Sequence, residues 1–588
     1  MQKKYFWILL LLLLLTGLFL RLPNINFPFF GDESWHEFVK YHKEGFFSVY
    51  YDSITGKNTV LIDPPLNGWL YLAYTGLFGF STAIMRSTSL LIGMINIILV
   101  YLIAAKMFNK KTALLSVLLM ALSYWHCFES YMIDRDGVLL MLFYLLILFF
   151  YIKYCESKNK LWLLPGAAIS ALCIFLKVSG MLITGVLLLA ILYDNKIFFE
   201  LWINRKQFWK LRKYDLSKFK IAFFEISPFI IANIMGYAVF TCGIYLLNPY
   251  YYHMLYTTQE SVPLEFFGAA LWQSIPREMI YLLLYGSPLL VGLTVLSILN
   301  WHKKKFLFLF WLLVPVIIYS KVPYTGALER YLSVIIPPVC ILSASFLADT
   351  SFKNKKYNVL GLIVGGLFFA LLNIFSLIRS EYLFHDIKTY MLRALMLKWN
   401  FLFPFYGAGG PAFLVPFWIL ALSIGLSIVL LVLMIIFNKK KKYFYLFLLL
   451  FLAIAGAFNL YVLQEFNFHI HTPNINKGFQ ETLSELQNET NTVVYTNIGA
   501  IRVYSDKNIK FISMRCPKKD TACWNRFDKA MKLFGGAVYI LDFPQTFEKS
   551  ERKKVIDVNC ELRKNISDKQ ATIGYIYDCG RGTKSVFS

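Results

Sequence analysis

The chain has 588 residues, of which 57% are hydrophobic, 18% aromatic and 16% charged, with a formal net charge of +24. So apolar a composition excludes a soluble multidomain protein and indicates a polytopic membrane protein whose aromatics suit interfacial belts. The positive charge does not indicate nucleic acid, because Lys and Arg come in short clusters between apolar runs, the pattern of cytoplasmic loops.

Lys3-Lys4 and a Leu-rich run open the chain. No small-x-small cleavage site follows, only Arg21-Leu22-Pro23, so this reads as an uncleaved first span with its N-terminus inside. Next comes the polar stretch Phe29-Phe30-Gly31-Asp32-Glu33-Ser34-Trp35-His36-Glu37-Phe38, in a chain poor in acidic residues. Ser34 and Glu37 have the spacing of a capping box, which gives Glu37 a structural job. Asp32 and Glu33 stay on the lead-in turn. A catalytic carboxylate pair and an ordinary polar turn before an interfacial helix both fit this stretch taken alone.

The next apolar segment, 66–80, is short and preceded by Asp63-Pro64-Pro65. If it spanned the membrane, Lys110-Lys111, Lys303-Lys304-Lys305 and Lys439 to Lys442 would all lie outside. Laid along the outer interface, it returns every strong basic cluster, the 194–220 loop included, to the cytoplasm. The spans then fall near 83–107, 112–128, 137–154, 161–177, 180–193, 221–247, 278–300, 306–320, 331–349, 358–378, 413–437 and 443–463. With the first segment they make about thirteen. The expected architecture is a polytopic α-helical membrane domain, 1–463, with a first external loop over 21–82 and a small extracytoplasmic domain over 464–588. That tail alternates helical and strand-like pieces: Lys477–Leu486 and Trp524–Leu533 as helices, Val493–Thr496, Ala537–Leu541 and Thr572–Tyr577 as strands. An α/β domain is expected.

Cysteine usage follows the same division. Cys127, Cys155, Cys173, Cys242 and Cys340 lie in or beside apolar segments and read as small buried hydrophobes. Cys516, Cys523, Cys560 and Cys579 lie in the tail, where two disulfides in any of three pairings are allowed. The sequons Asn488-Glu489-Thr490 and Asn565-Ile566-Ser567 suit an external tail. No Gly-rich phosphate loop, Walker motif or dinucleotide fingerprint occurs, so the chain offers no nucleotide site.

This topology gathers the sparse acids on the outer face, with cations among them. Asp134-Arg135-Asp136 begins the 137–154 span, Lys177 ends another, and Glu329-Arg330-Tyr331 opens a third. Each alone could be an interfacial anchor or a snorkelling side chain. Together they supply a base for an acceptor and fixed positive charge for a departing phosphate. His36, His253, His469 and His471 are also external. Glu33-x-x-His36 has helix-compatible ligand spacing, so a divalent ion is compatible with the sequence although nothing requires a cofactor.

In this order, Asp32-Glu33, Asp63-Pro64-Pro65-Leu66, a span beginning near Arg86, Ser130 to Asp136, and Arg330-Tyr331 before Pro337-Pro338 resemble the GT-C membrane glycosyltransferases. The resemblance is particularly to the protein O-mannosyltransferases and the related lipid A aminoarabinose transferases, over roughly residues 5–350. The resemblance implies a polyprenyl- or dolichyl-phosphate sugar donor, used at the outer face on a protein, glycolipid or glycan acceptor. It makes Asp32 the general base, Glu33 its partner in positioning, Asp136 the second family carboxylate and Arg330 the residue facing the lipid phosphate; Lys177 or Arg135 nearby would add positive charge for that phosphate. Asp63, Asp134, Tyr331 and His36 are implied as substrate contacts. Asp63 stands where the family often has His or Lys, and Tyr131 where it has Arg. The WWDYG signature of oligosaccharyltransferases is missing, which argues against transfer of a whole glycan to asparagine. The competing class is a transporter or lipid flippase, but such proteins place ionisable groups at the bilayer midplane and often carry internal repeats, which this sequence lacks.

Overall fold

The computed structural model describes residues 3–29, 33, 65–197, 216–247, 282–300, 302–319, 331–350, 352, 355–378, 380–381, 392–405, 413–486, 492–496, 509–513, 537–541, 556–558, 560–569 and 571–578. Its helices are α1 (Lys3–Phe19), α2 (Pro65–Phe78), α3 (Thr82–Met107), α4 (Lys110–Ala121), α5 (Tyr124–Glu129), α6 (Leu140–Ser157), α7 (Leu163–Leu176) and α8 (Leu182–Asp194). They continue with α9 (Leu216–Leu247), α10 (Pro288–Leu299), α11 (Phe306–Tyr319), α12 (Ile336–Asp349), α13 (Lys355–Phe375), α14 (Phe417–Ile436), α15 (Lys441–Phe468) and α16 (Ile475–Leu486). Among the described residues, 7 helices are long and apolar enough to cross a membrane, and shorter apolar helices accompany them.

Local chemistry sets where these helices begin and break. The Ser81 side chain caps α3 by accepting from the Ile84 N–H, and Asn109 caps α4 through the Thr112 N–H. The expected span 112–128 is split, because Ser123 accepts from the His126 N–H and starts the short helix α5. The expected span 278–300 is also interrupted. Ser287 sits at φ 65, and Pro288 follows as the first residue of α10. α2 occupies the apolar segment expected along the interface; its 14 residues give about 21 Å, short of a hydrocarbon core about 30 Å thick. α15 runs beyond the expected 463 to Phe468.

Two small sheets lie outside the helices. β1 (Leu402–Phe405) pairs antiparallel with β2 (Phe413–Pro416), and the Phe405 and Phe413 rings stack across the pair. The tail forms a five-stranded sheet from β3 (Thr492–Thr496), β4 (Ile509–Ser513), β5 (Ala537–Leu541), β6 (Glu561–Asp568) and β7 (Ala571–Asp578), in the order β4-β3-β5-β7-β6. The first three run parallel, and β7 and β6 are antiparallel additions. Helix α16 buries Ile475, Phe479, Thr482 and Leu486, a helical stripe turned to the sheet. An α/β tail is thus present; the expected helix Trp524–Leu533 lies outside the described residues. Cys560 is disulfide-bonded, and Cys516, Cys523 and Cys579 lie outside the described residues. The five cysteines expected as buried hydrophobes are free thiols, Cys242 being exposed.

The tail is tied to the helical part at the end of α15. Lys569, on the β6–β7 turn, donates to the carbonyls of His469, Ile470 and Thr472. The buried Glu465 carboxylate accepts from the N–H groups of His471 and Thr472 and from the Thr472 hydroxyl. The N-terminal segment joins the same place: Asn24 donates to the Phe466 carbonyl, Gln480 donates to the Asn26 carbonyl, and the Phe27 and His469 rings lie 6.0 Å apart.

Burial, reinforced by the Lys569 charge, pushes the His469 imidazole down from 6.5 to about 4. The unfolded chain therefore binds a proton at this residue that the folded chain refuses. This contribution to stability is complete above pH 6.5 and is lost as the pH falls toward 4, at a cost of about 3 kcal/mol. Asn accepts the left-handed φ of 45 that His469 adopts. Melting temperature in detergent should fall more steeply between pH 6.5 and 4 for the native chain than for His469→Asn; parallel curves would refute the assignment.

Candidate active site

Two charge pairs, one fully and one partly buried, meet on one short segment, residues 131–136. The first joins Glu33 to Arg86, near the start of α3. The Arg86 guanidinium forks onto both carboxylate oxygens, Nη1 to Oε1 at 3.1 Å and Nη2 to Oε2 at 2.9 Å, and both side chains are 1% exposed or less. Its remaining donors go to backbone carbonyls: Nε to Phe27 and Nη2 to Pro28, each at 2.8 Å, and Nη1 to Tyr131. Glu33 Oε1 also accepts from the Ile133 N–H at 2.9 Å. A buried guanidinium is tolerable only when its donors find acceptors, and this one has a full set.

The second pair is Asp136 with Lys177. Asp136 lies in a π turn, Arg135–Leu139, that leads into α6, and its backbone carbonyl accepts from the Ser333 hydroxyl at 2.8 Å. Lys177 is the extended residue between α7 and a 3-10 turn over Val178–Met181. That turn is tight, since a Cβ on Gly180 would stand 2.6 Å from the Cys173 Cβ. The break aims the Lys177 ammonium at Asp136 and over the Tyr331 ring, 3.6 Å from its centroid. Tyr331 in turn stacks on Tyr319 at 5.5 Å.

Around these pairs the packing is polar and buried. Tyr71 of α2 shares a hydrogen bond of 2.6 Å with Ser89 of α3 and lies within electrostatic reach of Glu33, Asp134 and Arg86. Asp134 is buried between the two pairs in sequence. Arg21, fully buried, donates to the Gly17, Met120 and Ala121 carbonyls and the Ser130 hydroxyl, and shares a 2.6 Å hydrogen bond with His126 Nδ1. It fixes the turn that delivers residues 131–136. Among the described residues no group of three His, Cys, Asp or Glu is placed to hold a metal ion.

Of the residues singled out in the sequence, Glu33, Asp134, Asp136, Lys177 and Tyr331 are described, and Glu33, Asp136, Lys177 and Tyr331 fall into the two pairs and their ring contact. Arg135 is placed by its backbone alone; Asp32, His36, Asp63 and Arg330 lie outside the described residues. Sequence reasoning did not anticipate Arg86 and Arg21 as partners in the site. Each is a lone arginine at the end of an apolar run. In a chain short of carboxylates, such a residue needs an acceptor, and that was the available signal.

Residues 63–232 match the family of dolichyl-phosphate-mannose-protein mannosyltransferases. That stretch holds Arg86, Asp136 and Lys177. Comparison with curated protein sequences gives no match. Among solved structures, the chain is similar to ArnT from Cupriavidus metallidurans bound to undecaprenyl phosphate, with 10% identity, a TM-score of 0.56 and 98% of each chain covered. The apo form of that protein matches with a TM-score of 0.55 at 10% identity, covering 99% of this chain and 100% of the other. The chain has the GT-C fold. A weaker likeness, TM-score 0.43 at 11% identity, is to the apo oligosaccharyltransferase of Archaeoglobus fulgidus, covering 92% of this chain and 70% of that one.

Removing one member of a buried ion pair strands the other charge, which typically costs about 3–5 kcal/mol. Arg86→Met should therefore lower the melting temperature in detergent sharply. Arg86→Met combined with Glu33→Gln should recover part of the loss, because no bare carboxylate is left. Equal destabilisation by the single and double variants would show that the pair is not the unit that matters.

Proposed function

We propose that this chain is a glycosyltransferase that moves a sugar from a polyprenyl- or dolichyl-phosphate donor to an acceptor hydroxyl at the outer face of the membrane. The observation that carries the reading is the Asp136–Lys177 pair, built inside the family-matched segment 63–232 and set against Tyr331, the neighbour of Arg330, in a GT-C fold.

In the proposed step the acceptor oxygen attacks the anomeric carbon, the bond from that carbon to the phosphate oxygen breaks, and Asp32 takes the acceptor proton. One displacement inverts the configuration. The roles of the adjacent carboxylates divide by their surroundings. Glu33 is occupied by a guanidinium and a backbone N–H, so it serves as a strut between Arg86 and Ile133. The base is assigned to its sequence neighbour Asp32, as the family resemblance implies. Lys177 is shared with Asp136, so the pair together is neutral and the net positive charge for the departing phosphate falls to Arg330 and Arg135. Asp136 holds Lys177 in place, and Tyr331 supplies the face on which the ammonium rests. Asp63, Asp134 and His36 are assigned to the substrate side of the same loops. A lipid monophosphate leaves readily as an anion, so a divalent ion is an accessory in this scheme.

For orientation, we place the N-terminus and the basic clusters in the cytoplasm and the tail outside. The disulfide at Cys560 supports this, since such bonds persist in oxidising compartments. The membrane domain then comprises 1–463 and the outer α/β domain 464–588.

Two measurements test the proposal. Asp32→Asn should reduce sugar release from a polyprenyl-phosphate donor by at least a hundredfold with the melting temperature unchanged, and the native chain should keep its activity in chelator. Full turnover by Asp32→Asn would remove it as the base, and loss of turnover in chelator would make a metal part of the mechanism. Protease added to intact cells should cleave the tail, and a protected tail would reverse the topology.

A further inference from the structure

We propose that the groove between α13 and α15 holds one acyl chain of an anionic phospholipid, with its headgroup on the lysines at the groove's mouth. The site is separate from the charge pairs described above and does not depend on the reaction proposed.

The two helices run parallel and in register. The Tyr445 hydroxyl donates to Asn358 Oδ1 at 2.6 Å, Gly361 faces Leu449, Gly365 faces Ala453, and Gln464 donates to Asn373 at 2.6 Å. α4 and α10 close the back of the groove through Leu119 and Leu289, leaving a cavity of about 590 Å³. Its walls are apolar, and they extend from Leu449 to Leu460 on α15 and from Asn358 to Phe369 on α13. At 1.5 Å per residue either stretch is about 17 Å long, about half of a hydrocarbon core roughly 30 Å thick. That is the depth of one leaflet. Glycines open the space: a Cβ added at Gly366 or Gly456, both lining the cavity, would meet no atom within 4 Å.

The mouth specifies charge. Because the helices are parallel, both begin at the same end, which brings Lys355 and Lys356 beside Lys440, Lys441 and Lys442, all exposed. Among the described residues none of these five has an ion-pair partner. Phe352, Tyr357 and Tyr445 form an aromatic collar between lysines and groove, with ring centroids about 6 Å apart. Basic residues over an aromatic belt fit a leaflet rich in anionic lipid, to which each exposed lysine is attracted. An apolar slot one leaflet deep beneath clustered positive charge therefore selects a two-part ligand, a chain and an anionic head.

The test is native mass spectrometry of the full chain in detergent, with phosphatidylglycerol and phosphatidylcholine added at equal concentration. The native protein should retain one phosphatidylglycerol at least five times more often than phosphatidylcholine. Gly366→Leu with Gly456→Leu fills the groove and raises helix propensity, so it should assemble normally and lose that adduct. Lys355→Glu, Lys356→Glu and Lys441→Glu together should erase the preference between headgroups while keeping an adduct. An unchanged adduct in the glycine variant, or an unchanged preference in the lysine variant, overturns the proposal. So does displacement of the bound lipid by equimolar undecaprenyl phosphate, which would give the groove to a donor. If the glycine variant fails to assemble by size exclusion, the lysine variant decides alone.

Discussion

The bidentate contact between Arg86 and Glu33 is the constraint on which the site rests. It brings a residue from the start of α3 together with one from a turn more than fifty positions earlier, and both sit out of water. Neither charge tolerates that environment alone. The pair also uses its spare donors and acceptors on the backbone, taking hold of Phe27, Pro28, Tyr131 and Ile133. One ion pair thus joins the end of the first helix's exit segment to the loop that carries Asp136. Burial of such a pair is a poor source of net stability but a strong determinant of register, because wrong arrangements strand a charge.

From that junction the remaining geometry follows with little freedom. Residues 131–136 are held from one side by Glu33 and Arg86 and from the other by Lys177 and Ser333. Arg21 fixes the preceding turn through carbonyls at the end of α4. Five separate stretches of chain therefore converge on a segment of a few residues, and each contributes a charged or polar group. Under the proposed function, this convergence would supply electrostatic preorganisation, with groups in place before substrate arrives.

Much of this architecture was legible in the sequence, and the exceptions have physical causes. Long apolar runs announced the helices, but not their interruptions at Ser123 and Ser287, where one side-chain cap outweighs hydropathy. In the tail, β3, β5 and β7 were readable from their apolar patterning. The strands that escaped notice, β4 and β6, are the two edges of the sheet. Edge strands carry charge to discourage further pairing, and Glu561-Leu562-Arg563-Lys564-Asn565 looks like loop for that reason. β1 and β2 were hidden by Pro404 and Pro416. In the site, the acids and Lys177 stood out against an apolar background. The arginines that organise them did not, since a lone cation at a helix end resembles a membrane anchor. That Glu33 would be bound by an arginine could not be read from Asp32-Glu33 at all, because it depends on a partner in another helix.

The joint at the end of α15 sets an order of assembly. Asn24 waits for Phe466, 442 positions later, and Asn26 for Gln480 of α16, while Lys569 secures the segment between α15 and α16. These are contacts of extreme sequence separation, the kind that form late in folding. During synthesis the first helix and its exit segment emerge early, yet Phe466 and Gln480, which hold that segment, are translated more than four hundred residues later. A chain stalled before the end of α15 would still hold Glu33 through Arg86 and Ile133, and would leave Asn24 and Asn26 without these partners. The end of α15 is in this sense a clasp, closing on the exit segment of the first helix long after that segment has been made.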